Sequence, residues 1–115
     1  MNNKISAYTI LYYDLQFYES IIKNIYNYVD EIIIIDGPYS YAIDTLKKFN
    51  LFYDEKNKPQ IINNLLNKYN KIKYFYKIFD NEENKRMFGY DMCKNNIILL
   101  VDTDEFIYLN KSNLK

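Results

Sequence analysis

The chain has 115 residues, which is room for one domain and not for two separate cores. Fifteen basic residues balance fifteen acidic ones, so the formal net charge is zero, and bulk attraction to nucleic acid or to an anionic membrane is not expected. Histidine is absent and Cys93 is the one cysteine, which excludes an intramolecular disulfide and removes the commonest general base. Any catalysis must therefore rest on carboxylates, hydroxyls, lysine or Arg86.

Apolar residues make up 49% of the sequence and supply the material for a globular core. The longest apolar run, Ile97 to Val101, is far shorter than the roughly 20 residues that cross a bilayer. Met1-Asn2-Asn3-Lys4 leads into Ile5 without the layout of a signal peptide. We therefore expect a soluble cytoplasmic protein with no transmembrane segment.

Strands and helices alternate along the first half of the chain. Ile5 to Tyr12 is β-branched and aromatic, which predicts a buried strand, and Asp14 is a candidate N-cap for the helix that follows. That helix is expected to run to about Tyr28, where Asp30-Glu31 ends it. Ile32 to Ile35 then predicts a strand covered on both faces, because only such a strand comfortably uses four isoleucines in a row.

Two helices are predicted before the third strand. Ser40 is a candidate cap for a short helix that ends near Phe49. Pro59 suits the first turn of the next helix, whose apolar residues recur at helical spacing. The extended aromatic and apolar character of Ile72 to Phe79 predicts the third strand.

One more helix and one more strand complete the predicted order. Asp80 and Glu83 form a D-x-x-E capping box that starts a helix, and Asn95 is expected to close it in the left-handed conformation. Ile97 to Val101 predicts the fourth strand. The order β-α-β-α-α-β-α-β favours a single α/β domain over residues 1–115, with a mostly parallel sheet and helices on both faces.

Acidic residues directly follow two of the predicted strands. Asp36 follows the second strand, and Asp102, Asp104 and Glu105 follow the fourth. Ligands of open α/β sheets bind outside the carboxyl ends of the strands, so both places are candidate sites. Three carboxylates within four residues repel one another unless water or a cation neutralises them, and hard oxygen ligands suit magnesium or manganese. The alternative is a solvated acidic turn.

Three segments together resemble the nucleotide-sugar-binding half of glycosyltransferase family 2 enzymes. The first is Arg86-x-x-Gly89-x-x-x-Cys93-x-Asn95, followed by an apolar strand that ends in the D-x-D motif Asp102-Thr103-Asp104. Asp30 to Gly37 is similar to the family's D-E-apolar-D-x-G second strand, and Ile5 to Tyr12 is similar to its first strand. The resemblance covers nearly the whole chain.

This resemblance implies a Rossmann-like GT-A fold and a hexosyltransferase-type activity on a nucleotide-diphospho-sugar donor, with Mn²⁺ (or Mg²⁺) as the cofactor. It implies that Asp102 and Asp104 bind the metal, which assists departure of the diphosphate. The residues that it places at the nucleotide-sugar are Ala7, Tyr8, Thr9, Asp36, Gly37, Arg86, Asp102 and Thr103.

Several of these positions have a second explanation. Arg86 lies one helical turn after Glu82 and can form an i,i+4 surface pair with it. Cys93 fits a small core residue better than a nucleophile, because no histidine accompanies it. Gly89 costs a helix about 1 kcal/mol, which indicates close packing of the helix on the sheet or space for a ligand. The family's serine and aspartate after Asp-Gly are replaced here by Pro38-Tyr39-Ser40.

The family's general base comes from sequence beyond D-x-D, and eleven residues follow Asp104. We therefore expect the donor-binding half of a transferase, and the acceptor, the base and the oligomeric state, a homo-oligomer included, stay open. A catalytically inactive nucleotide-binding module is the first alternative. The second is a metal-dependent phosphatase of the haloacid-dehalogenase type, a class that has threonine two residues after D-x-D, where this chain has Phe106.

Overall fold

The computed structural model describes residues 4–10, 18–49, 58–101 and 106–110. Strands and helices alternate through most of this part of the chain. In chain order the elements are β1 (Ile5–Ile10), α1 (Tyr18–Ile25) with a 3₁₀ turn (Tyr26–Tyr28), β2 (Glu31–Asp36), α2 (Ser40–Lys48), α3 (Lys58–Lys68), β3 (Ile72–Tyr76), α4 (Glu82–Met92), β4 (Ile97–Val101) and β5 (Phe106–Asn110).

The strands form one sheet in the order β3-β2-β1-β4-β5. Strands β1 to β4 run parallel to one another, and β5 pairs antiparallel with β4. The prediction of an α/β domain with a mostly parallel sheet is confirmed, and the arrangement is Rossmann-like. The antiparallel strand β5 is an addition to the predicted order.

Alternate residues of β2 enter two different cores. Ile32 and Ile34 pack with apolar residues of α1 and α3, on the side that we call the α1/α3 face. Ile33 and Ile35 pack with apolar residues of α4, on the side that we call the α4 face. All four side chains are at most 2% exposed, and burial of each contributes about 1.5–3 kcal/mol. The prediction of a strand covered on both faces is therefore confirmed.

Two predicted helix starts are wrong in detail. The N-cap of α4 is Asn81, whose side-chain oxygen accepts a hydrogen bond from the Asn84 amide at 2.8 Å. Asp80 lies one residue before this N-cap and forms no capping box with Glu83. Ser40 is the first residue of α2 and not its cap, and its hydroxyl lies 3.5 Å from Asp80 Oδ1. In both cases an adjacent residue takes the capping position.

The end of α4 also differs from the prediction. The helix ends at Met92, and Cys93 is its C-cap in an extended conformation (φ −70°, ψ 126°). The predicted end, Asn95, already lies in the connection to β4, where its amide donates to Ser6 Oγ at 3.1 Å. That bond to β1 turns the chain into the sheet, so a left-handed helix end is not used here.

Glu31 is the first residue of β2, although the sequence suggested that it ends a helix. It is 5% exposed, and its Oε2 accepts from Ser6 Oγ at 2.5 Å and from the Lys94 amide at 2.6 Å. Its Oε1 accepts from Lys73 Nζ at 3.0 Å. Burial opposes the charge of Glu31, but these hydrogen bonds outweigh it and hold the pKa of the carboxyl below its usual value. The carboxylate thus ties the end of α4 to the amino edge of the sheet.

The remaining predicted bounds lie within about a residue of those in the structure where it describes them, except at the end of the third strand, which the sequence predicts to reach Phe79. β4 has the predicted range Ile97–Val101, and Pro59 lies in the first turn of α3. β3 ends at Tyr76, and Phe79 forms an isolated bridge after it. The predicted cap Asp14 lies outside the described residues.

None of the helices described in residues 18–48 and 58–92 combines the length and the apolar character that crossing a membrane requires.

Candidate functional site

The strand order reverses at β1. The chain passes from β1 to β2 and β3 on one side and then returns to β4 on the other side of β1. Open α/β sheets bind ligands at such a switch point, outside the carboxyl ends of the strands. The parallel register pairs Ile10 with Ile35 and Tyr8 with Leu100, so β1, β2 and β4 end side by side. We call this place the switch edge; the last residues of its three strands are Ile10, Asp36 and Val101.

Asp36 is fixed in one orientation at the switch edge. It is 1% exposed, and strand alternation with Ile34 places its side chain on the α1/α3 face. Its Oδ1 accepts from the Gly37 amide at 2.7 Å, and its Oδ2 accepts from the Tyr74 hydroxyl. Sequence analysis did not identify Tyr74, because the β2–β3 register that brings it to Asp36 cannot be derived from the local pattern.

Gly37 makes a turn that requires glycine. Its φ is 124°, and a Cβ at this position would lie 1.7 Å from the carbonyl oxygen of Lys77. Three backbone hydrogen bonds join residues 36–40 to the chain after β3. The Lys77 amide donates to Asp36 O and the Phe79 amide donates to Pro38 O, each at 3.1 Å, and the Ser40 amide donates to Phe79 O at 2.9 Å. We call the two segments, residues 36–40 and 77–80, the paired loops.

Lys85 reaches the paired loops from α4. It is 2% exposed, its Nζ donates to Gly37 O at 2.7 Å, and the same atom lies 5.3 Å from the centre of the Tyr39 ring. Sequence analysis did not identify it, although a signal exists. Lys85 shares its helix face with Gly89 and Met92, both of which follow at helical spacing. A lysine on the buried stripe of an amphipathic helix is the pattern that could have revealed it.

The predicted residues Ala7 and Thr9 lie on the α1/α3 face of β1. Ala7 is fully buried in that core. Thr9 is 4% exposed, and its Oγ1 has no hydrogen-bond partner within the described part of the chain. Buried hydroxyls in folded proteins nearly always have a partner, so Thr9 is an exception beside the switch edge. Asp36 and Thr9 share this face of the sheet.

Tyr8 lies on the opposite, α4 face of β1. It is 4% exposed and packs under Gly89, where an added Cβ would be 2.6 Å from Tyr8 Cδ2. The Cys93 thiol is 3% exposed and donates to Gly89 O at 3.3 Å. Gly89 thus permits close packing of helix on sheet, which is one of its two predicted explanations, and the interpretation of Cys93 as a core residue is confirmed.

Arg86 forms the predicted surface pair. Its Nη2 donates to Glu82 Oε1 at 2.9 Å, one helical turn earlier, and its side chain is 39% exposed. Burial raises the pKa of the Tyr8 hydroxyl above its usual value, and the Arg86 guanidinium partly opposes that shift. Arg86 is therefore close enough to β1 to act electrostatically on it, from the α4 face.

The predicted metal ligands lie outside the described residues. The described part of β4 ends at Val101, immediately before Asp102, Thr103 and Asp104. Elsewhere in the described ranges no group of three acidic or thiol side chains converges as a metal site would require.

A groove of about 350 Å³ lies between α4 and the second of the paired loops. Phe79 and Phe88 meet edge to face in its lining, with ring centres 5.5 Å apart. Ile78 and Met87, each 53% exposed, form its apolar rim. The groove adjoins α4, whereas Asp36 and Thr9 lie on the α1/α3 face.

Neither a family model nor a curated protein matches this sequence.

Proposed function

We propose that this chain binds a nucleotide-diphospho-sugar through a divalent metal and acts as the donor-binding part of a GT-A glycosyltransferase. The observation that carries the proposal is the position of the three segments that resemble family 2 transferases. These segments form β1, β2 and the α4–β4 unit, and the three strands are neighbours at the centre of the sheet. The described strands of these segments, which are far apart in sequence, therefore end side by side at the edge where such sheets bind ligands.

The end of β4 supports the proposed metal site. β4 delivers the chain to the switch edge at Val101, and the D-x-D motif follows at once. Asp102 and Asp104 offer the hard carboxylate oxygens that Mn²⁺ and Mg²⁺ prefer, and one or two carboxylates with phosphate oxygens complete many such sites. The metal, when bound, supplies charge neutralisation for the departing diphosphate.

Asp36 is suited to recognise a nucleobase. The Gly37 amide and the Tyr74 hydroxyl hold its carboxylate in place, so a base that donates a hydrogen bond to Asp36 meets an acceptor that needs no further ordering. Thr9 lies on the same face, with a hydroxyl that lacks a partner among the described residues. A nucleotide at the switch edge would supply one.

Arg86 has a separate proposed role toward the diphosphate. Its ion pair with Glu82 is exposed to solvent on both sides and contributes little to stability. The guanidinium can therefore leave Glu82 for a phosphate, which it binds with two parallel hydrogen bonds.

The proposal is tested by calorimetric titration with uridine, guanosine, cytidine and adenosine diphosphates, with and without Mn²⁺. We expect the chain to bind one of these nucleotides in a Mn²⁺-dependent manner. Asp104→Asn keeps the side-chain shape and removes the charge, so it should abolish the Mn²⁺ dependence. Asp91→Asn, a change at an exposed residue of α4 that is none of the proposed ligands, serves as the control and should bind as the parent does.

The outcomes separate the proposal from its alternatives. Mn²⁺-dependent nucleotide binding that persists unchanged in Asp104→Asn would refute the assigned metal ligand. Nucleotide binding that needs no Mn²⁺ would favour a catalytically inactive nucleotide-binding module. Hydrolysis of a phosphomonoester such as p-nitrophenyl phosphate would favour the phosphatase class.

A further inference from the structure

Lys85 is a charged group in a place that disfavours charge. Only 2% of its surface is exposed, and transfer of an ammonium group out of water is costly unless polar partners receive it. Its Nζ donates to Gly37 O at 2.7 Å and lies over the Tyr39 ring at 5.3 Å from the ring centre. Gly37 and Tyr39 both belong to the first of the paired loops, so the Lys85 ammonium group contacts that loop.

The loop that receives this charge also carries Asp36. Gly37 stands between the two contacts: its amide donates to Asp36 Oδ1 at 2.7 Å, while its carbonyl accepts from Lys85. The orientation of the Gly37 backbone therefore depends on the Asp36 carboxylate and on the Lys85 ammonium group. Glycine has access to more backbone conformations than other residues, and Gly37 adopts one of them at a φ of 124°. The hydrogen bond from Lys85 favours this conformation over the others.

The hydrogen bonds from Lys85 to Gly37 and from Gly37 to Asp36 connect the two faces of the sheet. Lys85 comes from α4 on one face, and the Asp36 carboxylate lies on the other, next to Tyr74. Backbone hydrogen bonds from Lys77 and Phe79 hold the loop along one side. The ammonium adds a charge-assisted hydrogen bond from the helix, which is roughly twice as strong as a neutral one.

We infer that Lys85 is a positioning residue for nucleotide binding: it fixes the Asp36–Gly37 turn through the Gly37 carbonyl and thereby holds the Asp36 carboxylate in its binding orientation. This inference rests on the proposed function. Lys85 itself touches no nucleotide in this scheme. It acts through Asp36: without the Lys85 ammonium group the Asp36 carboxylate is still present, but its orientation is less strictly fixed.

The chain contains a matched control lysine. Lys71 Nζ donates to the carbonyls of Tyr26 and Val29 at 2.7 and 3.0 Å and lies 4.4 Å from the centre of the Tyr26 ring. It therefore makes the same kinds of contact as Lys85, but at the amino edge of the sheet. Lys71→Met and Lys85→Met remove the same charge and the same donor, at opposite ends of β2.

The first measurement needs no nucleotide. Amide hydrogen exchange of the folded protein reports the Gly37 and Phe79 amides, which lie in the paired loops, and the Asp30 amide, which donates to Ile5 O at the amino edge. Lys85→Met should accelerate exchange at Gly37 and Phe79 by about tenfold or more and leave Asp30 unchanged. Lys71→Met should accelerate exchange at Asp30 and leave exchange at Gly37 and Phe79 unchanged. Unchanged Gly37 exchange in Lys85→Met would overturn the inference.

The second measurement uses the nucleoside diphosphate panel with Mn²⁺. Lys85→Met should weaken binding by about tenfold or more, and Lys71→Met should not. If the parent protein binds none of the nucleotides, the proposed function fails, while hydrogen exchange still decides whether Lys85 holds the turn. If the parent binds and Lys85→Met binds equally well despite faster exchange, the link to binding is wrong.

A double-mutant cycle distinguishes action through Asp36 from a general loss of structure. If Lys85 acts through Asp36, the affinity losses of Lys85→Met and Asp36→Ala are not additive, and the double variant binds about as weakly as Asp36→Ala alone. Additive losses would mean that Lys85 affects binding independently of Asp36 and would contradict the inference. Lys85→Gln, which retains a donor without the charge, should restore part of the Gly37 protection.

Discussion

The backbone of Gly89 in α4 lies directly against the ring of Tyr8 in β1. A Cβ added to Gly89 would be 2.6 Å from Tyr8 Cδ2 and 3.0 Å from Ile35 Cγ1. Tyr8 is 4% exposed and Ile35 is fully buried, so neither side chain can move aside into solvent. At this point α4 therefore approaches the centre of the sheet more closely than a residue with a Cβ allows.

Gly89→Ala should destabilise the protein even though alanine favours helices. The gain in helix propensity is about 1 kcal/mol, whereas overpacking of a filled core costs typically about 1–3 kcal/mol. We expect a net loss of about 1 kcal/mol in the free energy of unfolding, measured by urea denaturation. Asp91→Ala, on the exposed side of the same helix, should stay within about 0.5 kcal/mol of the parent. A more stable Gly89→Ala protein would contradict the close packing.

The parallel sheet could be predicted from sequence because its central strand carries an unambiguous signal. Four isoleucines in Ile32–Ile35 allow no solvent-facing side, and burial on both faces requires helices above and below. The end of β4 at Val101 and the close packing at Gly89 follow from equally local patterns. These features depend on residues near one another in the chain.

The features that escaped prediction depend on pairing between distant residues. Tyr74 reaches Asp36 across the β2–β3 register, and Ser6 reaches Glu31 across β1 and β2. The predicted N-cap of α4 was wrong for a different reason. Asp80 and Asn81 both have side chains that cap helices well, and the sequence does not show which of these two neighbours takes the position. β5 belongs to the first group, because its place in the sheet is set by antiparallel pairing with β4.

Glu31 should make stability depend on acidity. Its pKa is held below the usual value in the folded protein, so its contribution is present above the unfolded pKa of about 4.3 and is lost as pH falls through the lower folded pKa. Glu31→Gln should lower stability at neutral pH and flatten the decline below about pH 4.3. Urea denaturation at a series of pH values measures both effects.

Glu19→Gln is the control for this acid dependence. Glu19 also has a lowered pKa, from its hydrogen bond with Lys68 at 2.6 Å, but its side chain is 41% exposed. Solvent screens that pair, so the substitution should change the acid dependence less than Glu31→Gln does. Equal effects of the two substitutions would show that the burial of Glu31 does not increase its contribution to the acid dependence of stability.

Asp36→Ala should weaken nucleotide binding and leave metal binding nearly unchanged. Loss of one hydrogen bond to a charged group costs roughly 1.5–3 kcal/mol, which is about 10- to 150-fold in affinity. Titrations with the preferred nucleoside diphosphate and with Mn²⁺ alone separate the two effects. Tyr74→Phe keeps the carboxylate and removes only the hydroxyl bound to it, so it should weaken binding less. Undiminished nucleotide affinity in Asp36→Ala would exclude this residue from the site.

Thr9→Val should stabilise the protein and weaken its binding of nucleotide. Valine has nearly the same shape as threonine, and the Thr9 hydroxyl is buried without a partner among the described residues, so its removal relieves a penalty of about 1–3 kcal/mol. If a bound nucleotide satisfies this hydroxyl, affinity should fall about 2- to 10-fold. Thermal denaturation and titration on the same sample measure the two changes. Thr9→Ser, which keeps the hydroxyl, should retain affinity. A Thr9→Val protein that is more stable and binds nucleotide unchanged would show that this hydroxyl serves no ligand at the switch edge.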